Sequence, residues 1–273
     1  MEGYFMTYNN KYQSYYDGDQ STIIKLDHII NEFIANYKVN TWFIPAMISG
    51  DILERCGYFN TIPNNLTKIG VFKREILGDI AANGLRSYQN DSAFTNDNEY
   101  YLTPAACIHF YPILEELSLK HRPIINELIT TTARVYRYED DRFVKGQRLW
   151  DFTVKEIVAV GSVDYVQSFL SDMKNKLLAY AQTIVKGARL EQANDSFYPT
   201  KENMLKSRFQ KQNNSKTELI VDVGDTPLAI SSFNYHGYHF SKEFHFDSNS
   251  SIVTGCVGCG IDRWITVINS SRE

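Results

Sequence analysis

Three consecutive stretches decide the fold: Arg134-Val-Tyr-Arg-Tyr-Glu139, the charged run Asp140 to Gln147, and Arg148-Leu-Trp-Asp-Phe-Thr-Val-Lys-Glu-Ile-Val-Ala-Val160. Arg134 to Glu139 and Leu149 to Val160 are rich in Tyr, Val, Ile and Phe, which suits half-buried strands. A strand repeats every two residues, so Trp150, Phe152, Val154, Glu156 and Val158 share one face. If the two runs pair across the loop, Arg137, Glu139, Arg148, Phe152 and Glu156 converge on one surface. Guanidinium groups hold phosphate, an aromatic ring stacks on a base, and carboxylates hold an exocyclic amine or a metal. A solvated hairpin with cross-strand ion pairs accounts for the same residues without a ligand.

Toward the C-terminus, Ser162 to Lys186 carries an apolar stripe of Val163, Val166, Phe169, Leu170, Met173, Leu177, Ala181 and Ile184, with Gly187 as its stop. The polar stretch Asn194 to Lys216 follows, with Lys201, Lys206, Arg208, Lys211 and Lys216. Glu218 to Val223 and Leu228 to Phe233 return to strand character around the turn signal Gly224-Asp225. Gly255 to Gly260 reads as a glycine- and cysteine-containing turn before a last helix.

Toward the N-terminus, Ser21 to Asn36 places Ile23, Leu26, Ile30, Phe33 and Ile34 at helical spacing, with Ser21 as the cap. A shorter helix, Ser49 to Cys56, stops at Gly57. Strands joined by short loops, with helices set apart, predict an α+β fold around an antiparallel sheet flanked by helices.

Over 273 residues, 43% hydrophobic and 22% charged residues exclude a disordered chain. A net charge of −4 gives no global reason to coat a nucleic acid. Four cysteines are too few for a disulfide scaffold. Met1 to Gln20 lacks a basic-then-apolar leader, and no apolar run approaches the ~18 residues that span a bilayer. A soluble, cytoplasmic protein is expected.

Gly258-Cys-Gly260-Ile-Asp-Arg263 lets backbone approach a nucleotide closely and sets Arg263 just inside a helix, where it could hold a terminal phosphate. An ordinary turn accounts for it equally, and the spacing does not match a P-loop. Cys256 and Cys259 have C-x-x-C spacing, but no second pair accompanies them to make a structural zinc site.

Taken in order, these features resemble the catalytic domain of class II aminoacyl-tRNA synthetases, the seryl type in particular, over about Asn40 to Trp264. Pro45, followed by Gly57-Tyr-Phe, looks like the first motif. Arg137-Tyr-Glu139, with Arg148 through Phe152 to Glu156, looks like the second, and Gly258 to Arg263 like the third. By the same comparison, Cys107 in Leu102-Thr-Pro-Ala-Ala-Cys107, Glu139 and Cys256 match three zinc ligands of the atypical seryl enzymes and their truncated relatives, the amino acid:[carrier protein] ligases. Two thiolates, a carboxylate and an open fourth position can hold a substrate amino group. Ordinary buried thiols are the alternative, and Cys259 is a bystander. The segment Ala229-Ile-Ser-Ser-Phe-Asn-Tyr-His236-Gly-Tyr-His-Phe240 also looks like these ligases. A seryl synthetase tends to have Glu where Ala229 stands, which removes a magnesium ligand and leaves Ser232 and Asn234 as candidates.

The resemblance implies one catalytic domain over residues 1–273 without a separate tRNA-binding domain, using zinc and magnesium. ATP would lie bent, with Arg137 on the α-phosphate, Arg148 on the distal phosphates, Phe152 under the adenine and Arg263 on the γ-phosphate. Glu156, Ser232 and Gly260 would complete the ATP site, and Glu139, Asn234 and His236 would face the amino acid. A small amino acid would pass through an aminoacyl-adenylate to the phosphopantetheine thiol of an acidic carrier protein. That carrier would dock on Lys201 to Lys216, which otherwise reads as a solvated helix, while His236 and His239 line the pantetheine channel. A homodimer through the region of Pro45 is implied. Charging of tRNA in trans and a catalytically silent binding module are the competing readings.

Overall fold

The computed structural model describes residues 6–8, 12–14, 17–84, 94–95, 99–121, 124, 126–140, 142–212, 215–246 and 251–271. Strands β1 (Met6–Tyr8) and β2 (Tyr12–Ser14) precede helix α1 (Asp17–Ile34). Next come β3 (Val39–Thr41), β4 (Met47–Ser49), α2 (Gly50–Arg55) and α3 (Tyr58–Thr61). A peripheral segment contains β5 (Val71–Phe72), α4 (Leu77–Asn83), β6 (Phe94–Thr95) and β7 (Tyr100–Leu102), and α5 (Phe110–Leu119) follows. The second half contains β8 (Glu127–Tyr136), β9 (Asp151–Gly161), α6 (Val163–Ile184), β10 (Arg189–Gln192) and α7 (Lys201–Gln212). It closes with β11 (Lys216–Val223), β12 (Thr226–Gly237), α8 (His239–Glu243), β13 (Val253–Gly260) and α9 (Ile261–Ser270). No helix among the described residues is long and apolar enough to cross a membrane.

The main sheet runs β10-β11-β12-β13-β9, all antiparallel, and continues from β9 to β8. Only β3 on β8 and a single pair between β2 and β9 are parallel among the described pairings. The register sets the site. Glu156 stands between Thr131 and Gly258, Gly258 faces Ser232, and Cys256 stands between Val158 and Asn234.

Alternation divides the sheet into two faces. The rear face sends Ile157, Ala159, Val257 and Cys259 into a core with Leu26 and Ile30 of α1, Phe169 and Met173 of α6, and Trp264 of α9. The front face carries Val158, Val160 and Cys256 into a second core with Leu53, Cys107, Phe110, Tyr111, Leu114 and Phe244.

The expected α+β architecture, an antiparallel sheet flanked by helices, is the one found, with several boundaries moved. Helix α1 begins at Asp17, so Ser21 lies inside it; its first turn is too polar to show the apolar period. Strand β8 begins at Glu127 and ends at Tyr136, before Arg137 to Glu139. Its first five residues are buried on both faces, which erases the alternation that marks a half-buried strand. The segment Gly255 to Gly260 is no turn but most of β13, in the middle of the sheet. There the glycines serve close approach: a Cβ on Gly255 would meet Val166 Cγ1 of α6 at 2.9 Å and Asn234 O at 3.0 Å. Ser49 caps α2 through a bond from the Ile52 amide, and Gly57 with φ +75° ends that helix.

Candidate active site

Two groups of side chains occupy the front of the sheet. The first is Cys107, Glu156 and Cys256, whose ligand atoms lie within 4.8 Å of one another. They are 8%, 6% and 4% exposed. Cys107 opens the turn before α5, Glu156 is on β9, and Cys256 is on the adjacent β13. Glu156 Oε2 accepts from the amides of Ala106 and Cys107, both at 3.0 Å, which fixes the carboxylate beside the thiols. Burial, reinforced by the charge of Cys256, pushes Glu156 up to about 8. Between the thiols, Cys107 donates to Cys256, which draws Cys256 down toward thiolate, and Asn234 Nδ2 adds a donor at 3.4 Å.

This grouping corrects the ligand set expected from sequence. Glu139 is not with the cysteines: it sits in the loop after β8, 3.2 Å from Arg148 and 3.6 Å from Arg142. Glu156, expected in the ATP site, is the carboxylate that lies with the two cysteines. The one signal in the sequence is that Glu156 directly precedes the apolar run Ile157-Val-Ala-Val160, where a buried carboxylate demands a partner. Two soft sulfurs and one carboxylate oxygen fit zinc with a fourth position open.

The second group is Arg137, Arg148 and Arg263. Arg137 Nε donates to Pro104 O at 2.9 Å, and its guanidinium lies 5.4 Å from the centre of the Phe152 ring. Arg263, in the first turn of α9, donates to Gln147 O and Ala229 O, both at 2.7 Å. Burial first, then the charges of Arg137 and Arg148, lower its pKa. Three guanidiniums gathered here could meet polyanionic charge. The charge of Arg137 also favours the carboxylate of Glu156 and acts on Arg263, so it is felt in both groups.

Glycine forms the floor between them. The nearest atom to a Cβ on Gly258 is Ser232 Oγ at 3.3 Å, and on Gly260 it is Arg263 Cδ at 3.6 Å. Ser232, Asn234 and Gly260 are thus on the front face with both groups. His236 lies at the metal end, its Nδ1 3.1 Å from Thr254 Oγ1 and 3.4 Å from the Tyr111 hydroxyl. His239 packs its ring on Phe240. Cys259 is in the rear core, away from the site. Tyr111 and Thr254 were not singled out in the sequence, where an aromatic on an apolar helix and a threonine in a strand carry no signal of their own.

No family model matches the chain. Among solved structures, a seryl-tRNA synthetase from M. kandleri, in complex with a tRNASec from A. aeolicus, superposes with a TM-score of 0.78 at 17% identity, covering 98% of this chain and 55% of that one. The fold is therefore that of the class II aminoacyl-tRNA synthetase catalytic core. An amino acid–[acyl-carrier-protein] ligase of Bradyrhizobium diazoefficiens is 30% identical over 228 residues, 80% of this chain and 66% of the relative. A type-2 serine–tRNA ligase of Methanocaldococcus jannaschii is 24% identical over 255 residues, 87% of this chain and 48% of the relative. Within that class the chain belongs to the amino acid–[carrier protein] ligase family, homologous to the type-2 seryl enzymes. It spans about two thirds of the ligase relative and about half of the seryl one.

Proposed function

We propose that the protein joins a small amino acid to ATP as an aminoacyl-adenylate and passes the aminoacyl group to the phosphopantetheine thiol of a carrier protein. The observation that carries this reading is the Cys107–Glu156–Cys256 group beside Arg137, whose guanidinium lies over the Phe152 ring and whose charge reaches both Glu156 and Arg263. When bound there, zinc would supply a Lewis acid for the amino group of the substrate. The amino acid is then held with its carboxylate toward Arg137. An oxygen of that carboxylate attacks the α-phosphorus, the bond to the bridging oxygen breaks, and pyrophosphate leaves. Arg137 neutralises charge at the α-phosphorus, Arg263 and Arg148 hold the distal phosphates, and Phe152 underlies the adenine. In the second step the thiolate of the carrier arm attacks the carbonyl carbon, the carbon–oxygen bond to phosphate breaks, and AMP leaves. Ala229 offers magnesium no carboxylate, and its carbonyl already accepts from Arg263, so much of the phosphate charge rests on the arginines.

The test is pyrophosphate exchange across the twenty amino acids on zinc-replete protein. Exchange is expected with one or two small amino acids and is lost in Cys107→Ala. Absence of exchange with every amino acid, despite bound zinc, would leave a silent binding module. Because a serine–tRNA ligase is among the relatives, charging of total tRNA is measured alongside; efficient charging would replace the carrier by tRNA.

Docking of the carrier is assigned to α7. Lys201, Lys206 and Arg208 are exposed on it together with Met204 and Leu205, a basic surface with an apolar centre suited to an acidic partner. Lys211 has no described side chain, and Lys216 is removed from this surface, held in β11 by Asp195 at 2.7 Å and Glu218 at 3.2 Å. Charge reversal at Lys206 and Arg208 is expected to weaken carrier acylation while exchange stays intact; equal loss of both would reject α7 as the dock. We also assign a second copy of the chain to the loop around Pro45, where Phe43 is 94% exposed.

A further inference from the structure

Helix α7, the surface assigned to the carrier, has little apolar surface to hold it in place. Its two apolar residues with described side chains, Met204 and Leu205, are 54% and 63% exposed, so neither fastens it to the core. A helix of 12 residues without an apolar stripe is marginal in water. Among its described side chains only Asn203 is buried, at 2% exposure. A buried amide is costly unless its N–H groups find acceptors, so the partners of Asn203 show what holds the helix.

Those partners lie at the end of another helix. Asn203 Nδ2 donates to Asn60 O at 2.8 Å and to Tyr198 O at 2.9 Å. The Tyr198 amide in turn donates to Thr61 O at 2.7 Å. Asn60 and Thr61 close α3, and the last carbonyls of a helix have no partner within it. The chain leading into α7 thus caps α3 twice, once through backbone and once through the Asn203 side chain. Thr200 fixes the start of α7: its Oγ1 accepts from the Asn203 amide at 3.1 Å, and its carbonyl accepts from the Met204 amide at 2.9 Å. Tyr58 and Phe59 of the same α3 pack on the front core that contains Cys107 and Cys256. Helix α3 is therefore shared between the candidate active site and the docking helix.

We propose that Asn203 is a positioning residue for aminoacyl transfer: by tying α7 to the last turn of α3, it holds the carrier's docking surface at a fixed place relative to the adenylate. The inference rests on the carrier reading and on α7 as the dock. A pantetheine arm reaches only where its length allows, so a docking helix that drifts offers the thiol a correct approach for part of the time. The apparent affinity for the carrier then falls by that fraction, while adenylate formation, which needs no carrier, is untouched. Without the Asn203 amide, α3 loses one of its two donors from the α7 side and the helix keeps only the Tyr198 backbone tether.

The experiment compares the full chain with Asn203→Ala in three assays: pyrophosphate exchange, aminoacylation of a phosphopantetheinylated acyl-carrier protein, and aminoacylation of free pantetheine. Free pantetheine carries the same thiol but no protein to dock. In Asn203→Ala, exchange and the pantetheine rate are expected to be unchanged, and deuterium uptake by the α7 amides to rise. The KM for the carrier is expected to rise roughly tenfold at nearly unchanged kcat, the size of one lost buried hydrogen bond. Asn203→Ser keeps one donor and is expected to show the same split at smaller size. An unchanged carrier KM in Asn203→Ala would overturn the proposal. Equal losses in all three assays would also overturn it, since they mark general damage to the fold. If Asn203→Ala does not fold, Asn203→Ser decides: a loss confined to the carrier supports the proposal, and an equal loss or none overturns it. A parent chain that exchanges pyrophosphate and acylates pantetheine but no carrier would instead overturn the carrier reading itself.

Discussion

The two faces of strand β13 use glycine for opposite purposes. On the rear face Gly255 lets α6 and β12 close in, with Val166 Cγ1, Leu170 Cδ1 and Asn234 O all at 2.9 to 3.0 Å from where a Cβ would be. On the front face a Cβ on Gly258 would meet closely only the rotatable Ser232 hydroxyl, at 3.3 Å, and one on Gly260 would meet nothing nearer than 3.6 Å. One face of the strand is packed for stability, and the other is kept bare beside charged groups. A variant that damages one face should leave the property of the other nearly untouched, and each prediction below tests that separation.

The largest effect belongs to the front. Arg137→Ala removes the guanidinium felt in both groups, and is expected to cost about 3 kcal/mol or more in adenylate formation, roughly a hundredfold in rate. Single-turnover formation of the adenylate is the measurement. A loss of less than tenfold would place the α-phosphate elsewhere.

Asp262 sits at the junction of the two faces, in the first turn of α9, and gives the separation a pH signature. Its Oδ2 accepts from the Thr153 amide at 2.6 Å, while Oδ1 is buried without a hydrogen-bond partner. Burial pushes this carboxyl up to about 6 from 3.8. A folded-state pKa raised above the unfolded value means the folded chain holds the proton more tightly. Stability from this group is therefore fully present below about pH 4 and is lost as pH rises through about 6. Two units correspond to at most about 3 kcal/mol. Asp262→Asn keeps an acceptor for Thr153 and is expected to flatten denaturant stability between those pH values. An unchanged pH slope would show that Asp262 is ionised throughout.

How much of this could be read from the chain follows the same division. The rear face was legible, because Phe169, Met173 and Leu177 repeat at helical spacing against an apolar strand. The arginines were legible only as types in a pattern, since the same residues read equally as cross-strand ion pairs. Gly255 to Gly260 was misread as a turn because glycine in sequence signals freedom, whereas here the demand is for missing volume, set by helix α6 nearly a hundred residues away in sequence. Glu139 was taken for the metal ligand in place of Glu156 because both flank the same arginine-rich loop; only the pairing of β9 with β13 puts Glu156 opposite Gly258 and beside Cys256.

The smallest effects give the sharpest form of the comparison, since the same one-carbon change is made on both faces of one strand. Gly255→Ala forces a methyl into three atoms at or under 3.0 Å, one of them backbone, and overpacking of this kind costs typically about 1–3 kcal/mol. Gly258→Ala meets only a serine hydroxyl that can rotate away, and stability is expected to hold within about 0.5 kcal/mol. Its methyl would stand on the bare floor between Glu156 and Ser232, so the KM for ATP should rise while the unfolding midpoint stays in place. For Gly255→Ala the order is reversed: the midpoint falls, and exchange by the folded fraction is kept. If both variants lost stability equally, the front face would be packed like the rear, and the floor between the two groups would be core rather than a place for a nucleotide.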